Sequence, residues 1–381
     1  MSDDRDPNGY IEAEEIPPVR VMQGDDRPKK NVKKGKKLRL KLNVLRLVSV
    51  FLLLMLVFVG ICLINSHKRN AELESRLKEL TQENGRLVSA GDLEAGTEAA
   101  RREGLAEGRI ELKAELMEKL SVPGATSADV LRELYDDYVY YISDNTYHFV
   151  KINESLPNNG IKASELVTDE NGFKDHIKDG VKDSLRVVDV SQFQKKDIDW
   201  EAVKAAGVDG CMIRVGFRGY GSGALVEDDC FETNMKAAQA AGLKLGVYFF
   251  TQAVDTAEAV EEAEYVLERI KGYKIDLAVA LDVEVPDATA RANDLTPAER
   301  TDLAEAFLKR ISEAGYTPMI YVNTYGMFGM LDVERVYSYP IWFAFYNDYI
   351  YYPYEVKMWQ YTEGAAVDGI KGGVDMNVWF Q

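Results

Sequence analysis

The pattern of apolar and polar positions divides the chain into distinct stretches. Residues 1–26 are polar, acidic and proline-containing, a composition that predicts disorder. A basic block from Arg27 to Arg46 leads directly into residues 47–64, a strongly apolar run without a charge. At about 1.5 Å per helical residue this run is long enough to cross a bilayer core. The 46-residue lead and the exit Asn65-Ser66-His67-Lys68-Arg69 are unlike a cleaved signal peptide. Cys62 follows Ile61 rather than a small residue, which argues against a lipoprotein cleavage site. The pattern therefore predicts a cytoplasmic tail over 1–46 and a retained transmembrane helix over 47–64. Excess Lys and Arg on the N-terminal side places that side in the cytoplasm and the remainder outside.

Residues 65–120 are rich in Glu, Leu, Arg, Lys and Ala, and predict a helical stalk. Leu73, Leu77, Leu80, Asn84 and Leu87 follow a 4-3-4-3 spacing, which suits a short coiled coil and a homodimer through the stalk. Gly91, Gly96, Gly104 and Gly108 are expected to weaken any single rigid rod; the plainer alternative is a solvated helix plus a linker. Residues 121–184 read as a small accessory region. It has a short helix from Ser127 to about Leu134 and a hairpin of 139–142 with 147–152, followed by turns at Asn158-Asn159-Gly160 and Asn171-Gly172.

From 185 to 381 the texture becomes alternating strand and helix. Strands are predicted at 186–190, 211–215, 244–250, 278–283, 319–322, 341–345, 356–361 and 374–379. Amphipathic helices fit near 199–206, 228–241, 256–271 and 297–313, the last opened by the capping sequence Thr296-Pro297-Ala298-Glu299. This is an α/β pattern, an irregular TIM-like β/α barrel with fewer than eight helices, preceded by the transmembrane helix and the stalk. A parallel return needs roughly a dozen residues, and 346–355 is Tyr-rich and broken by proline, so the last third of the barrel should be irregular.

Charge and rare residues narrow the chemistry. The formal net charge is −17, yet residues 1–70 carry 14 basic against 8 acidic side chains, so the bulk is strongly acidic. An acidic main domain is a poor match for nucleic acid. The membrane lipid contact is confined to the single span. Three cysteines make no disulfide framework, and His67, His148 and His176 are scattered, so neither a metal centre nor a His-based triad is expected. No cofactor is implied. What remains is carboxylate chemistry.

The stretch Ala278-Val279-Ala280-Leu281-Asp282-Val283-Glu284 reads as a buried strand ending in two acids. Side chains at i and i+2 of a strand point the same way, so Asp282 and Glu284 face one side together. Asp189 ends the first strand and Asp375 opens the last; closing a barrel brings those strands side by side. Four converging carboxyl groups raise at least one pKa, which is what a general acid at neutral pH requires. The same oxygens could bind a metal, although Ca²⁺ ligands are usually packed in one loop.

The ordered blocks Asp189-Val190-Ser191 with Ile198-Asp199-Trp200, Ile213-Arg214-Val215-Gly216, 246–250, Leu281-Asp282-Val283-Glu284, Tyr321-Val322-Asn323, 341–346, Trp359-Gln360-Tyr361, and Gly369-Ile370 with 374–377 resemble the glycoside hydrolase family 25 muramidases. The resemblance runs from Val187 to Gln381. It implies hydrolysis of the β-1,4 bond between N-acetylmuramic acid and N-acetylglucosamine in peptidoglycan glycan strands. It also implies Glu284 as the general acid, Asp282 as stabiliser of the oxocarbenium-like state or orienter of the acetamido group, and Asp189 and Asp375 as completing the acidic cluster. Tyr248, Tyr321, Trp342 and Trp359 are candidates for lining the glycan groove, or for core packing. Tyr349, Tyr351, Tyr352 and Tyr354 are either a groove wall or a packed cover. Phe249 and Phe250 depart from what family members often carry after the Gly-x-Tyr block. The whole predicts a cell-membrane protein displaying a lysozyme outside for local wall remodelling; the rival is a non-catalytic peptidoglycan-binding scaffold.

Overall fold

The computed structural model describes residues 61–79, 90–194 and 197–381. These fall into two units divided between Leu134 and Tyr135. The first contains a helix over 61–79 (α1), α2 (Ala90–Leu120) and α3 (Ser127–Leu134). Helix α2 runs unbroken through Gly96, Gly104 and Gly108, which were expected from the sequence to weaken a single rod. A helix-interior glycine costs only about 1 kcal/mol relative to alanine, and the surrounding Ala, Glu, Leu and Arg are strong helix formers. Glu98 adds ion pairs to Arg101 and Arg102 within the same helix. Of the predicted coiled-coil seam, Leu73 and Leu77 are exposed on α1, and Leu80, Asn84 and Leu87 lie outside the described residues. The span predicted over 47–64 also lies outside them except for its last four residues, which are helical. Among the described residues no helix is long and apolar enough to cross a membrane.

The second unit is a closed eight-stranded barrel with a small region fastened to it. The region consists of the hairpin β1 (Tyr138–Ser143) and β2 (Thr146–Lys151), then a three-stranded sheet of β3 (Leu166–Thr168), β4 (Lys174–Lys178) and β5 (Val181–Lys182). The hairpin matches the sequence expectation. The second sheet does not appear in that reading, because its strands are short and polar. Its β4–β5 turn places Asp179 and Gly180 at positive φ, the twist that suits a two-residue hairpin.

The barrel strands are β6 (Ser184–Val190), β7 (Gly210–Arg218), β9 (Lys244–Phe250), β10 (Val279–Asp282), β11 (Pro318–Asn323), β12 (Ile341–Ala344), β13 (Met358–Ala365) and β14 (Val374–Phe380). A short β8 (Leu225–Glu227) hangs antiparallel on the end of β7. Apart from β8, the strands from β6 to β13 pair in parallel, whereas β14 is antiparallel to both β13 and β6 and closes the ring. Crossovers are made by α4 (Trp200–Ala205), α5 (Phe231–Ala240), α6 (Thr256–Arg269) and α7 (Pro297–Glu313), with the shorter α8 (Thr324–Met330) and α9 (Val333–Val336) after β11. Asp199, Asp255 and Thr296 cap α4, α6 and α7, and Thr296 forms the expected capping box with Glu299.

Strand alternation separates two apolar layers. Val279, Leu281 and Val283 join the large core between barrel and helices, whereas Ala278 and Ala280 face the barrel interior with Met212, Met319, Tyr321, Trp342 and Met358. Small residues on one wall make room for large ones on the other. At Gly246 a Cβ would come within 2.2 Å of Met212 Sδ, so this inward position has no room for a side chain.

Candidate active site

The parity that buries Leu281 and Val283 outside the barrel turns Asp282 inward at the carboxyl end of β10, and Glu284 follows two residues on. Asp189 occupies the corresponding end of β6. Because β14 runs the other way, its first residues lie at that same mouth, and Asp375 pairs directly with Asp189. The four acids expected to converge do so at one end of the barrel: Asp189 shares a hydrogen bond with Asp375, and its charge raises Asp282, Glu284 and Asp375.

Asp189 and Asp282 are buried; Glu284 and Asp375 keep partial exposure. Burial pushes the Asp189 carboxyl up to about 6, against the pull of donors from Asn377 and Gln360. Asn377 Nδ2 and Gln360 Nε2 donate to Asp189 Oδ2 at 2.8 and 2.9 Å. Burial and the Asp189 charge drive Asp375 well above the usual range, and it shares a hydrogen bond with Asp189. That places the proton of this pair on Asp375, with Asp189 as the acceptor.

The second pair is Asp282 and Glu284. Burial, then the Glu284 charge, raises Asp282 well above its ordinary value, with Arg214 opposing. Burial and the Asp189 charge push Glu284 up to about 7. Among the described residues, Asp282 Oδ1 has no hydrogen-bond partner. Such a pair holds a proton up to about neutral pH and titrates as a unit. Glu284 is the more exposed member and faces the open mouth, so it is the group placed to hand a proton to a bound molecule.

Amides and aromatic rings support these acids. Asn377 Oδ1 accepts from Trp342 Nε1 at 2.7 Å, and Gln360 Oε1 accepts from the Tyr321 and Tyr346 hydroxyls at 2.9 and 3.0 Å. Tyr248 and Tyr321 pack edge-on against Trp342, with centroids 5.8 and 4.5 Å away. Trp342 is 1% exposed and therefore underlies the mouth; Tyr248 and Tyr321 stand closer to its surface. Trp359 faces the other way. It is fully buried in the outer core and donates to Phe345 O at 2.9 Å, so packing, not groove lining, is its role. Tyr352 and Tyr354 are likewise buried against Phe328, which makes them part of a packed cover.

Gln360, Asn377, Arg214, Phe193 and Tyr346 were not among the expected site residues. Asn377 lies two residues beyond Asp375, and Gln360 two beyond the interior Met358; the parity argument used for Asp282 and Glu284 identifies both. Arg214 is a buried charge in the apolar run 211–215. Its Nε donates to Asp228 at 2.8 Å, and its guanidinium lies 5.2 Å from the ring of Phe193, which is half exposed beside the mouth.

An eight-stranded β/α barrel with a proton-retaining carboxyl cluster at the carboxyl ends of its parallel strands defines a barrel enzyme of acid-assisted hydrolysis. Residues 188–370 match the family model described as Glycosyl hydrolases family 25. Among curated relatives, the Uncharacterized protein YegX of Escherichia coli K12 is 28% identical over 204 residues, covering 51% of this chain and 69% of that protein. The Autolytic lysozyme of Clostridium acetobutylicum is 26% identical over 186 residues, covering 47% of this chain and 51% of its own. Among solved structures, the modular autolysin LytC from Streptococcus pneumoniae superposes with a TM-score of 0.48 at 21% identity. That alignment covers 65% of this chain and 57% of LytC.

Proposed function

We propose that the barrel is a peptidoglycan muramidase, hydrolysing the β-1,4 bond between N-acetylmuramic acid and N-acetylglucosamine. The observation that carries this reading is the division of labour among the four acids. Asp282 and Glu284 retain a proton near neutral pH, while Asp189 is held as an acceptor by two amides and by Asp375. A glycosidic bond breaks when its leaving oxygen is protonated as positive charge develops on the sugar. Glu284 supplies that proton. Asp282, with its free buried oxygen, faces the developing charge or the N–H of a 2-acetamido group. Asp189 and Asp375 hold further negative charge beside it. Tyr248 and Tyr321 give the sugar an apolar floor, backed by Trp342.

The apolar run over 47–64 and the basic block before it support a single-pass anchor with its N-terminus in the cytoplasm and the hydrolase outside. A tethered enzyme acts only on wall within its reach, which suits local remodelling and not the dispersal of whole sacculi. The 4-3-4-3 leucine spacing supports pairing of two chains through the stalk.

The reading is tested by incubating the full chain with purified peptidoglycan. Soluble muropeptide fragments are expected from the wild type. Glu284→Gln should release them at least about a thousandfold more slowly, with wall binding retained. Wild-type chain that binds the wall and releases nothing would establish the non-catalytic scaffold instead.

A further inference from the structure

Tyr346 follows β12 and opens the loop that leads to β13. It is 41% exposed at the mouth, its hydroxyl donates to Gln360, and the charges of Asp375, Asp189 and Glu284 act on it. It thus belongs both to the surface a glycan meets and to the hydrogen-bond chain that ends on Asp189. The loop carrying it is stitched to residues that precede the barrel. Asn159 N donates to Pro353 O and Glu355 N to Pro157 O, each at 3.1 Å, and Asn158 forms a bridge with Tyr354. Asn153 N donates to the Tyr354 hydroxyl at 2.9 Å, and Tyr140 N to the Tyr351 hydroxyl at 3.1 Å.

The contact nearest Tyr346 is an ion pair. Lys174 Nζ, on β4, donates to Asp348 Oδ1 at 2.8 Å and to Thr168 Oγ1 at 3.1 Å. The two partners differ sharply in burial. Lys174 is 7% exposed and fixed by its sheet and by its backbone bond to the Tyr361 hydroxyl, whereas the Asp348 side chain is 96% exposed. A buried ammonium requires a counter-charge, while an exposed carboxylate can adopt many positions. The lysine is therefore the fixed post, and the loop is what it holds.

We propose that residues 135–183 are a positioning element of the active site, setting Tyr346 for glycan binding through the Lys174–Asp348 ion pair. This rests on the muramidase reading and adds to it a region outside the match at 188–370. Lys174 and Asp348 act through Tyr346 and touch no substrate, so their loss should weaken binding and leave the chemical step intact.

The test uses the full chain and soluble glycan fragments of peptidoglycan. Asp348→Ala and Lys174→Met should each raise KM about fivefold to tenfold with kcat within about twofold, and Lys174→Arg should restore most of the affinity. In a Tyr346→Ala background, Asp348→Ala should add nothing. Removing Asp348 leaves the Lys174 ammonium without its counter-charge and should lower the melting temperature, so KM and kcat are read well below that temperature and the Tyr346→Ala background separates positioning from folding. An unchanged KM in Asp348→Ala, or an equal rise with and without Tyr346, would overturn the proposal. If the wild type releases fragments and Glu284→Gln does not, such a result removes this proposal alone. If the wild type releases none, the muramidase reading itself falls.

Discussion

The site's pH behaviour follows from two residues with opposite requirements. In the proposed mechanism Asp189 is ionised, its carboxyl pushed up to about 6, and the Asp282–Glu284 pair holds the proton that Glu284 delivers, the Glu284 carboxyl pushed up to about 7. Activity should rise with pH through about 6 and fall through about 7, a narrow bell measurable as kcat/KM on soluble glycan fragments. The sign of one perturbation is fixed by the hydrogen bonds. The Gln360 amide stabilises charged Asp189, so Gln360→Met should move the acid limb to higher pH and narrow the bell; a shift to lower pH would contradict this assignment. Much of the cluster was legible in the chain. The i, i+2 rule paired Asp282 with Glu284, and barrel closure paired Asp189 with Asp375. The amides were not legible as partners, because Gln360 and Asn377 meet Asp189 only once β13, β14 and β6 are in register. Trp359 failed as a groove residue for the same parity reason that Gln360 succeeded: neighbours on a strand face opposite ways.

Among the elements, β14 explains how a closed barrel presents Asp375 beside Asp189. Only 366–373 separate it from β13, too few residues for a parallel crossover, so the chain returns antiparallel and its start lies at the mouth. The short late gaps are visible in the sequence, but this reversal is not. The turn in that gap is held by Gly369, whose φ is +95° and whose carbonyl accepts from Asp199 N at 2.9 Å, next to the start of α4. A Cβ at Gly369 would lie 2.3 Å from Asp199 O. Gly369→Ala should therefore cost about 2 kcal/mol or more and lower Tm by roughly 4–8 °C in thermal unfolding. An unchanged Tm would mean the turn relaxes freely. The sheet β3–β5 escaped the sequence reading because polar strands of two to five residues carry no periodicity. The continuity of α2 escaped it because isolated glycines were weighted above the many helix formers around them.

For the whole molecule, the proposed function is that of a wall-cutting barrel tethered to a membrane. The anchor proposed over 47–64 predicts physical separation: the full chain should sediment with membranes and resist extraction by high salt, whereas a chain lacking residues 1–64 should not. Release of the full chain by salt alone would reduce the basic block to a surface contact. The fastening of residues 135–183 to the barrel also sets the working unit. A hydrolase cut at the start of β6 would lose Lys174, Asn153, Asn159 and Tyr140, which hold the loop bearing Tyr346. The central claim concerns which bond is cut, and the chemistry of the new chain ends decides it. Purified peptidoglycan digested by the full chain, reduced with borohydride and analysed by mass spectrometry should yield fragments ending in reduced N-acetylmuramic acid, and Glu284→Gln should yield none. Fragments ending in reduced N-acetylglucosamine, or muramic ends undiminished in Glu284→Gln, would contradict the account.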